Sequence, residues 1–378
     1  MKFLQLSICL LLICCLISCN NDDTLQPVDT FDRTTLLEGQ LQKVILPRLS
    51  KSQEATNKLH TDVIAFVQNP TVSTLQIAKQ QWIEAYKQWI TISFLDFGPG
   101  EGTFGTITEN IGTFPVRVQS GTSAAGTTLK GIETLIEESD YSLNNFFRDT
   151  RGFLGLEYLL FSDNEASIVA KFTTGTQFEI RKLYTTAVVN DIKIRISELN
   201  TSWNGSFRST FLASKGTDVG SSTSLLYNAF LKHFEQLKNF KVGVPSGLRA
   251  GQTKIEPEKV EGYYCGNSIE FAKIHFESVK NIYRGYDVDS TMAIGFTDYL
   301  QSIPGGEALI KSTHVQMDAV DAVLTQMNAT PNLAKRIQSN DPLVSNLFIE
   351  LSKLTRYIKS DMSSLMGISI TYSSGDGD

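Results

Sequence analysis

The stretch FEIRKLYTTAVVNDIKIRISELNTSW, residues 178–203, decides the fold. Its apolar residues Ile180, Leu183, Tyr184, Ala187, Val188, Ile192, Ile196 and Leu199 recur at the period of one helical face, with polar side chains between them. No Gly or Pro interrupts the run, so the spacing predicts an amphipathic helix of about seven turns, too long to pack alone. The same period extends on both sides. Upstream it runs through Leu36, Leu37, Leu41, Ile45 and Leu49, then Leu59, Val63, Phe66 and Val67, with a kink expected near Pro47. Next come Ile77, Trp82, Ala85, Tyr86, Trp89 and Ile92, an aromatic stripe that reads as a buried helix face and stops at Gly98-Pro99-Gly100.

Residues 98–127 are rich in Gly and Thr and contain Pro115, which predicts an irregular excursion or short strands. A connection that long inside a domain is expected to be functional or packed over a site. Short helical pieces follow around 129–136 and 143–161. After turns at 204–206 and 214–222, helical spacing returns over 225–240, 260–283, 307–327 and 342–366. The last of these turns Leu343, Leu347, Leu351, Leu354, Ile358, Met362 and Leu365 inward. Period-two alternation is almost absent. The expected fold is therefore all-α, two packed antiparallel helical bundles over 33–210 and 211–372, followed by a frayed polar tail at 373–378.

Of the 378 residues, 41% are hydrophobic and 20% charged, enough apolar side chains for a real core. The net charge of −6 and the lack of a Lys/Arg run argue against a nucleic-acid partner, which requires a basic footprint. Cys9, Cys14, Cys15 and Cys19 crowd the start of the chain and Cys265 stands alone, so no zinc-type Cys/His spacing exists.

Lys2, the apolar run Leu10 to Ile13 and the site Leu16-Ile17-Ser18-Cys19 predict a secretory signal over 1–18. Ser18-Cys19 resembles a bacterial lipoprotein lipobox, which implies lipidation of Cys19; an ordinary signal cut nearby is the alternative. Residues 19–32 then read as a flexible tether. Asn20-Asn21-Asp22-Asp23 resembles the export signal of surface lipoproteins in Bacteroidetes. A lipid-anchored outer-membrane protein is expected, periplasmic or surface-exposed.

The inventory for catalysis is sparse. His60, His233, His275 and His314 are scattered, and no HExxH, GxSxG or Walker sequence occurs. His314 and Asp318 read as a solvated pair, and His275 and Glu277, two apart, diverge on a helix. The acidic group Glu133, Glu137, Glu138 and Asp140 reads as a wet face rather than a cation site. Cys265 reads as a buried small residue. One carboxylate stands out: Glu157, in a helix with Phe153, Leu156, Leu160 and Phe161, must be paired, metal-bound or hydrogen-bonded to Arg151 or a backbone donor if it is buried.

Around this residue the chain resembles the imelysin (M75 peptidase) family. The family's Gly-x-His-x-x-Glu motif aligns without a gap on Gly152-Phe153-Leu154-Gly155-Leu156-Glu157. Trp82 to Trp89 leading into Phe97-Gly98-Pro99 is similar to its Trp-rich helix and turn, and Val260 to Ser268 followed by Ile282-Tyr283-Arg284-Gly285 to a later helix. The resemblance implies two helical bundles with the motif at their interface, in a surface or periplasmic protein associated with iron uptake. It marks Gly152, Leu154 and Glu157 as the pocket, with Trp89, Gly98, Pro99, Tyr264 and Cys265 in support.

Three positions depart from the family pattern. Leu154 replaces the motif His, Ser93 stands where the family shows Glu, and Cys265 where it often has Ser. Without the imidazole nitrogen of the motif, hydrolytic zinc chemistry lacks a ligand and peptidase activity is not expected. Glu157 is left as an oxygen ligand for iron or another divalent cation, helped by Glu133, Glu101 or Tyr264. The expected function is a non-catalytic binding component that joins the membrane through Cys19 and works with iron or heme uptake machinery. A metal-dependent peptidase and a glycan- or protein-binding lipoprotein are the alternatives.

Overall fold

Asp32 starts the first helix, its carboxylate accepting the Thr34 N–H at 3.0 Å and satisfying one of the donors that a helix start leaves unpaired. In the computed structural model, which describes residues 31–144, 147–286 and 292–372, this helix α1 runs through Arg33–Gly39, a π-helical stretch Gln40–Ile45 and Leu46–Gln68. Pro47 lies where the widened turn ends, and the helix passes through it instead of stopping. Helix α2 (Val72–Ile92) opens on a reciprocal cap between Thr71 and Thr74.

Beyond α2 the chain forms α3 (Ile107–Ile111) and an antiparallel ribbon of β1 (Gly121–Thr122) and β2 (Thr128–Leu129). It continues through α4 (Ile132–Glu137), α5 (Gly152–Phe161), α6 (Glu165–Lys171), α7 (Phe178–Asn204) and α8 (Ser206–Ala213). Helix α9 (Ser222–Glu235) carries on through a π-helical stretch Gln236–Gly243 into Val244–Ser246. Then come α10 (Ser268–Arg284), α11 (Phe296–Gln301), α12 (Gly306–Gln326), α13 (Leu333–Gln338) and α14 (Pro342–Thr355), the last extended by Arg356–Asp361 and Met362–Met366.

The fold is all-α in its packing. Helices α2 and α7 both lie against α1, with α5 on α2 and α7 and α8 on α7; α12 packs on α14, and α9, α10 and α11 complete a second group. Helix α10 also packs on α2 and so joins the two. The start of α1 reaches the second group, where Gln40 donates to the carbonyls of Ile282 at 3.2 Å and Ile294 at 3.3 Å. Among the described residues no helix is long and apolar enough to cross a membrane.

Several local expectations are corrected. Helix α10 begins at Ser268 rather than at Val260, because Gly262 and Gly266 take φ values of +65° and +75° that end helical continuation. The excursion at 98–127 contains α3 as well as the ribbon, since Thr106 and Glu109 form a capping box inside the Gly-rich run. Ile77 and Leu183 face solvent, while Leu75, Ala78 and Thr185 take the buried positions. The signal, Cys19 and most of the tether, and the tail at 373–378, lie outside the described residues.

Candidate functional site

The motif segment forms α5, whose first nine residues are all buried. Gly152 enters it at φ +69°, and a Cβ there would stand 2.5 Å from the Ile111 carbonyl oxygen. A Cβ at Gly155 would stand 2.9 Å from the Thr150 oxygen. The two glycines thus let α5 press against α3 and the short 3-10 turn Arg148–Thr150 that leads into it, a close fit only Gly permits. Trp82 donates its indole N–H to the Phe153 carbonyl at 2.9 Å, tying α5 to α2.

Glu157 is 1% exposed, and its Oε1 accepts the backbone N–H of Cys265 at 2.8 Å. The turn from Glu261 to Gly266 wraps this carboxylate because its glycines free the backbone N–H groups from helical bonding. Burial pushes the Glu157 carboxyl up to about 7; the N–H groups of Cys265 and Tyr264 pull the other way, and the charge of Glu261 adds to the rise. Arg151 is not its partner: that guanidinium donates to the Leu143 carbonyl at 2.6 Å and to Asn110. The Cys265 thiol is raised by burial and by Glu157, so it is protonated at neutral pH.

Leu154, Glu157, Tyr263 and Tyr264 line a small cavity of about 30 Å³ with Phe114 and Pro115. Tyr264 rests edge-on against Tyr158 with ring centroids 5.3 Å apart, and Tyr158 donates to Glu133 at 2.6 Å. Glu133 is otherwise consumed by Arg181, Glu138 by Lys130, and Asp140 by Ser142. Glu101 is exposed. Gly98 and Pro99 line neither this cavity nor its larger neighbour; Gly98 packs against the Phe207 ring, where a Cβ would stand 2.3 Å away. His314 meets Tyr283 rather than bonding to Asp318 through any close contact, and His275 is fully buried.

The donors at Glu157 do not fit a metal ion. An N–H already occupies Oε1 of the carboxylate, Leu154 offers no lone pair, and the thiol is protonated. Among the described residues no three His, Cys, Asp or Glu side chains converge as a metal-ligating group.

What the sequence reading missed lies on the other side of Tyr86. That side chain stacks on Trp82 with centroids 4.9 Å apart, and its hydroxyl donates to Glu261 Oε1 at 2.5 Å. Lys241 reaches the same oxygen at 2.6 Å. Burial lowers the Lys241 ammonium, and Glu261 opposes that; burial and Glu261 hold the Tyr86 phenol well above its usual range. These residues open onto a cleft of about 310 Å³ lined also by Trp89, Ser93, Asp96, Phe114, Lys232, Glu235 and Phe240. Tyr86, Trp89, Ser93 and Glu261 fall within or beside the quoted motifs; Lys241 and Glu235 carry no sequence signal at all.

The sequence profile described as Imelysin, Peptidase M75, matches residues 45–353. Among solved structures, the chain is similar to an imelysin-like protein from Psychrobacter arcticum 273-4, with 17% identity, 90% of this chain and 97% of that one covered, and a TM-score of 0.67. It is also similar to a candidate iron-regulated protein A precursor from Parabacteroides distasonis ATCC 8503, with 16% identity, 88% and 95% coverage and a TM-score of 0.68. No curated protein matches. With its profile match spanning most of the chain, a fold shared along nearly its whole length and the motif segment set in α5, the protein belongs to the imelysin family.

Proposed function

We propose that this chain is a non-hydrolytic binding protein of the cell envelope, anchored through lipidated Cys19, that serves iron or heme acquisition. The observation that carries the non-hydrolytic reading is the Cys265 N–H donating to Glu157 beside Leu154, which fills the place of a metal ligand with a backbone proton and an isobutyl group. The ligand site is the adjoining cleft of Tyr86, Trp89, Glu235 and Glu261, whose volume lies at the small end of ligand pockets. The link to iron rests on family resemblance and on the name of the Parabacteroides relative.

Calorimetric titration of the purified protein with Fe(III), Zn²⁺, ferric citrate and heme, beside a peptide-cleavage screen, tests this reading. Bare Fe(III) and Zn²⁺ are expected to bind weakly to the wild type and more tightly to Leu154→His, with no peptide cleaved by the wild type. Saturable uptake of ferric citrate or heme supports the iron role. Chelator-sensitive cleavage lost in Glu157→Gln would establish a peptidase instead.

A further inference from the structure

The cleft has an unbalanced hydrogen-bond account. Its Ser and Thr hydroxyl hydrogens are spent on backbone oxygens: Ser93 donates to Ile90 at 3.1 Å, Thr108 to Ser93 at 3.0 Å and Thr113 to Glu109 at 2.7 Å. Asp96 is satisfied at both oxygens, by the Thr108 N–H at 3.0 Å and by Lys232 at 2.7 Å. The two buried glutamates are not. Glu261 takes both Tyr86 and Lys241 on Oε1, and its Oε2 has no hydrogen-bond partner. Glu235, 3% exposed, has Lys359 at 3.1 Å from Oε1, yet neither oxygen makes a hydrogen bond. A buried acceptor left unpaired costs about 1–3 kcal/mol, more when charged, so this wall is built for an incoming donor.

Each carboxylate lining the cleft has a cation beside it, Asp96 with Lys232, Glu109 with Arg148, Glu235 with Lys359 and Glu261 with Lys241, so the unpaired oxygens rather than net charge favour an incoming donor. Trp89, Tyr86, Phe114 and Phe240 supply aromatic surface, and Phe240, 40% exposed, stands at the rim. Aromatic faces beside carboxylates attract an organic cation through cation–π contact and charge-assisted hydrogen bonds. A metal ion would need several converging oxygen ligands, and no such group of three exists among the described residues.

We propose that the cleft binds a small organic cation, a primary amine or guanidinium on an apolar chain, with its N–H groups on Glu235 and Glu261 and its chain along Trp89 and Phe240. This rests on the reading of the cleft as the ligand site. Calorimetry with cadaverine and agmatine, against pentanediol as the uncharged counterpart, tests it on the full chain. At least one of the two amines binds saturably, and its affinity falls at least about tenfold in Glu235→Gln and several-fold in Phe240→Ala, while pentanediol does not bind. Phe240→Ala keeps the test decisive if Glu235→Gln fails to fold, because it removes a rim side chain without exposing a buried charge.

Amine binding indifferent to both substitutions overturns the proposal, as does equal binding of pentanediol, which would make the cleft a reader of hydroxyls. If ferric citrate or heme binds and no amine does, the proposal fails and the binding-protein reading stands. If nothing binds, both fail.

Discussion

Glu157 is where burial and charge meet most sharply, and it sets a pH dependence of known sign. In the unfolded chain its carboxyl titrates near 4.5; in the folded protein burial raises it to about 7. Between those values the folded state keeps a proton that the unfolded chain has released, so stability falls as pH rises from 4.5 through 7 and is level above. At about 1.4 kcal/mol per pKa unit, the swing is about 3 kcal/mol. Glu157→Gln keeps an acceptor for the Cys265 N–H and removes the titration. Urea unfolding at pH 5 and pH 8 is expected to show the variant gaining about 2–3 kcal/mol on the wild type between the two. An unchanged difference would mean that Glu157 is hydrated in the folded protein. The sequence reveals this residue, since a lone Glu among Phe153, Leu156 and Leu160 is conspicuous. It does not reveal the partner, because a backbone N–H leaves no mark in side-chain identity.

At the scale of elements, the site is made by a helix start and a turn, both dictated by glycine. Gly152 combines φ +69° with a 2.5 Å approach to the Ile111 oxygen, whereas Gly126, at φ +80°, has nothing within 4 Å of its Cβ direction. Gly152→Ala is therefore expected to lose more than about 3 kcal/mol of stability, through strain and displaced backbone, against about 1 kcal/mol for Gly126→Ala. Denaturant midpoints of the two variants compare these costs, and equal losses would show that α5 can move away from α3. The same physics explains the misplaced start of α10. Hydrophobic period alone carries a helix back to Val260, since Tyr263 and Tyr264 are apolar enough to continue it. The positive φ of Gly262 and Gly266 breaks the helix and turns the Cys265 N–H onto Glu157. Capping explains α3 in the opposite sense: Thr106 and Glu109 have the spacing of a capping box, but the surrounding glycines mask it.

For the whole molecule, periodicity is enough to place the long helices, because α1, α2, α7, α12 and α14 each bury a continuous face. It is not enough for polar groups that bridge distant segments, such as the fully buried His233–His275 pair. Both rings are fully buried and stack 3.9 Å apart. His275 Nε2 donates to the His233 carbonyl at 2.8 Å, and His233 lies 3.3 Å from the Ser278 hydroxyl, which also receives Arg48 from α1. Burial, with the charges of Lys241 and Arg48 on His233 and of His233 and Lys241 on His275, holds both imidazoles well below their ordinary 6.5. As pH falls below 6.5 the unfolded chain takes up protons that the folded core refuses, so the pair loses stability toward acid. Over the same range Glu157 returns about 1.4 kcal/mol per unit, since its proton favours the folded state. The histidines and Glu157 therefore oppose each other on the acid side, the histidines losing stability below pH 6.5 while Glu157 gains it below 7. Replacing one histidine by a neutral residue of similar size, His275→Gln, removes its contribution, and the variant is expected to lose less stability toward acid than the wild type. Unfolding free energies measured at half-unit steps from pH 4.5 to 7.5 report it, and a variant slope equal to that of the wild type would mean that the pair is already protonated in the folded state.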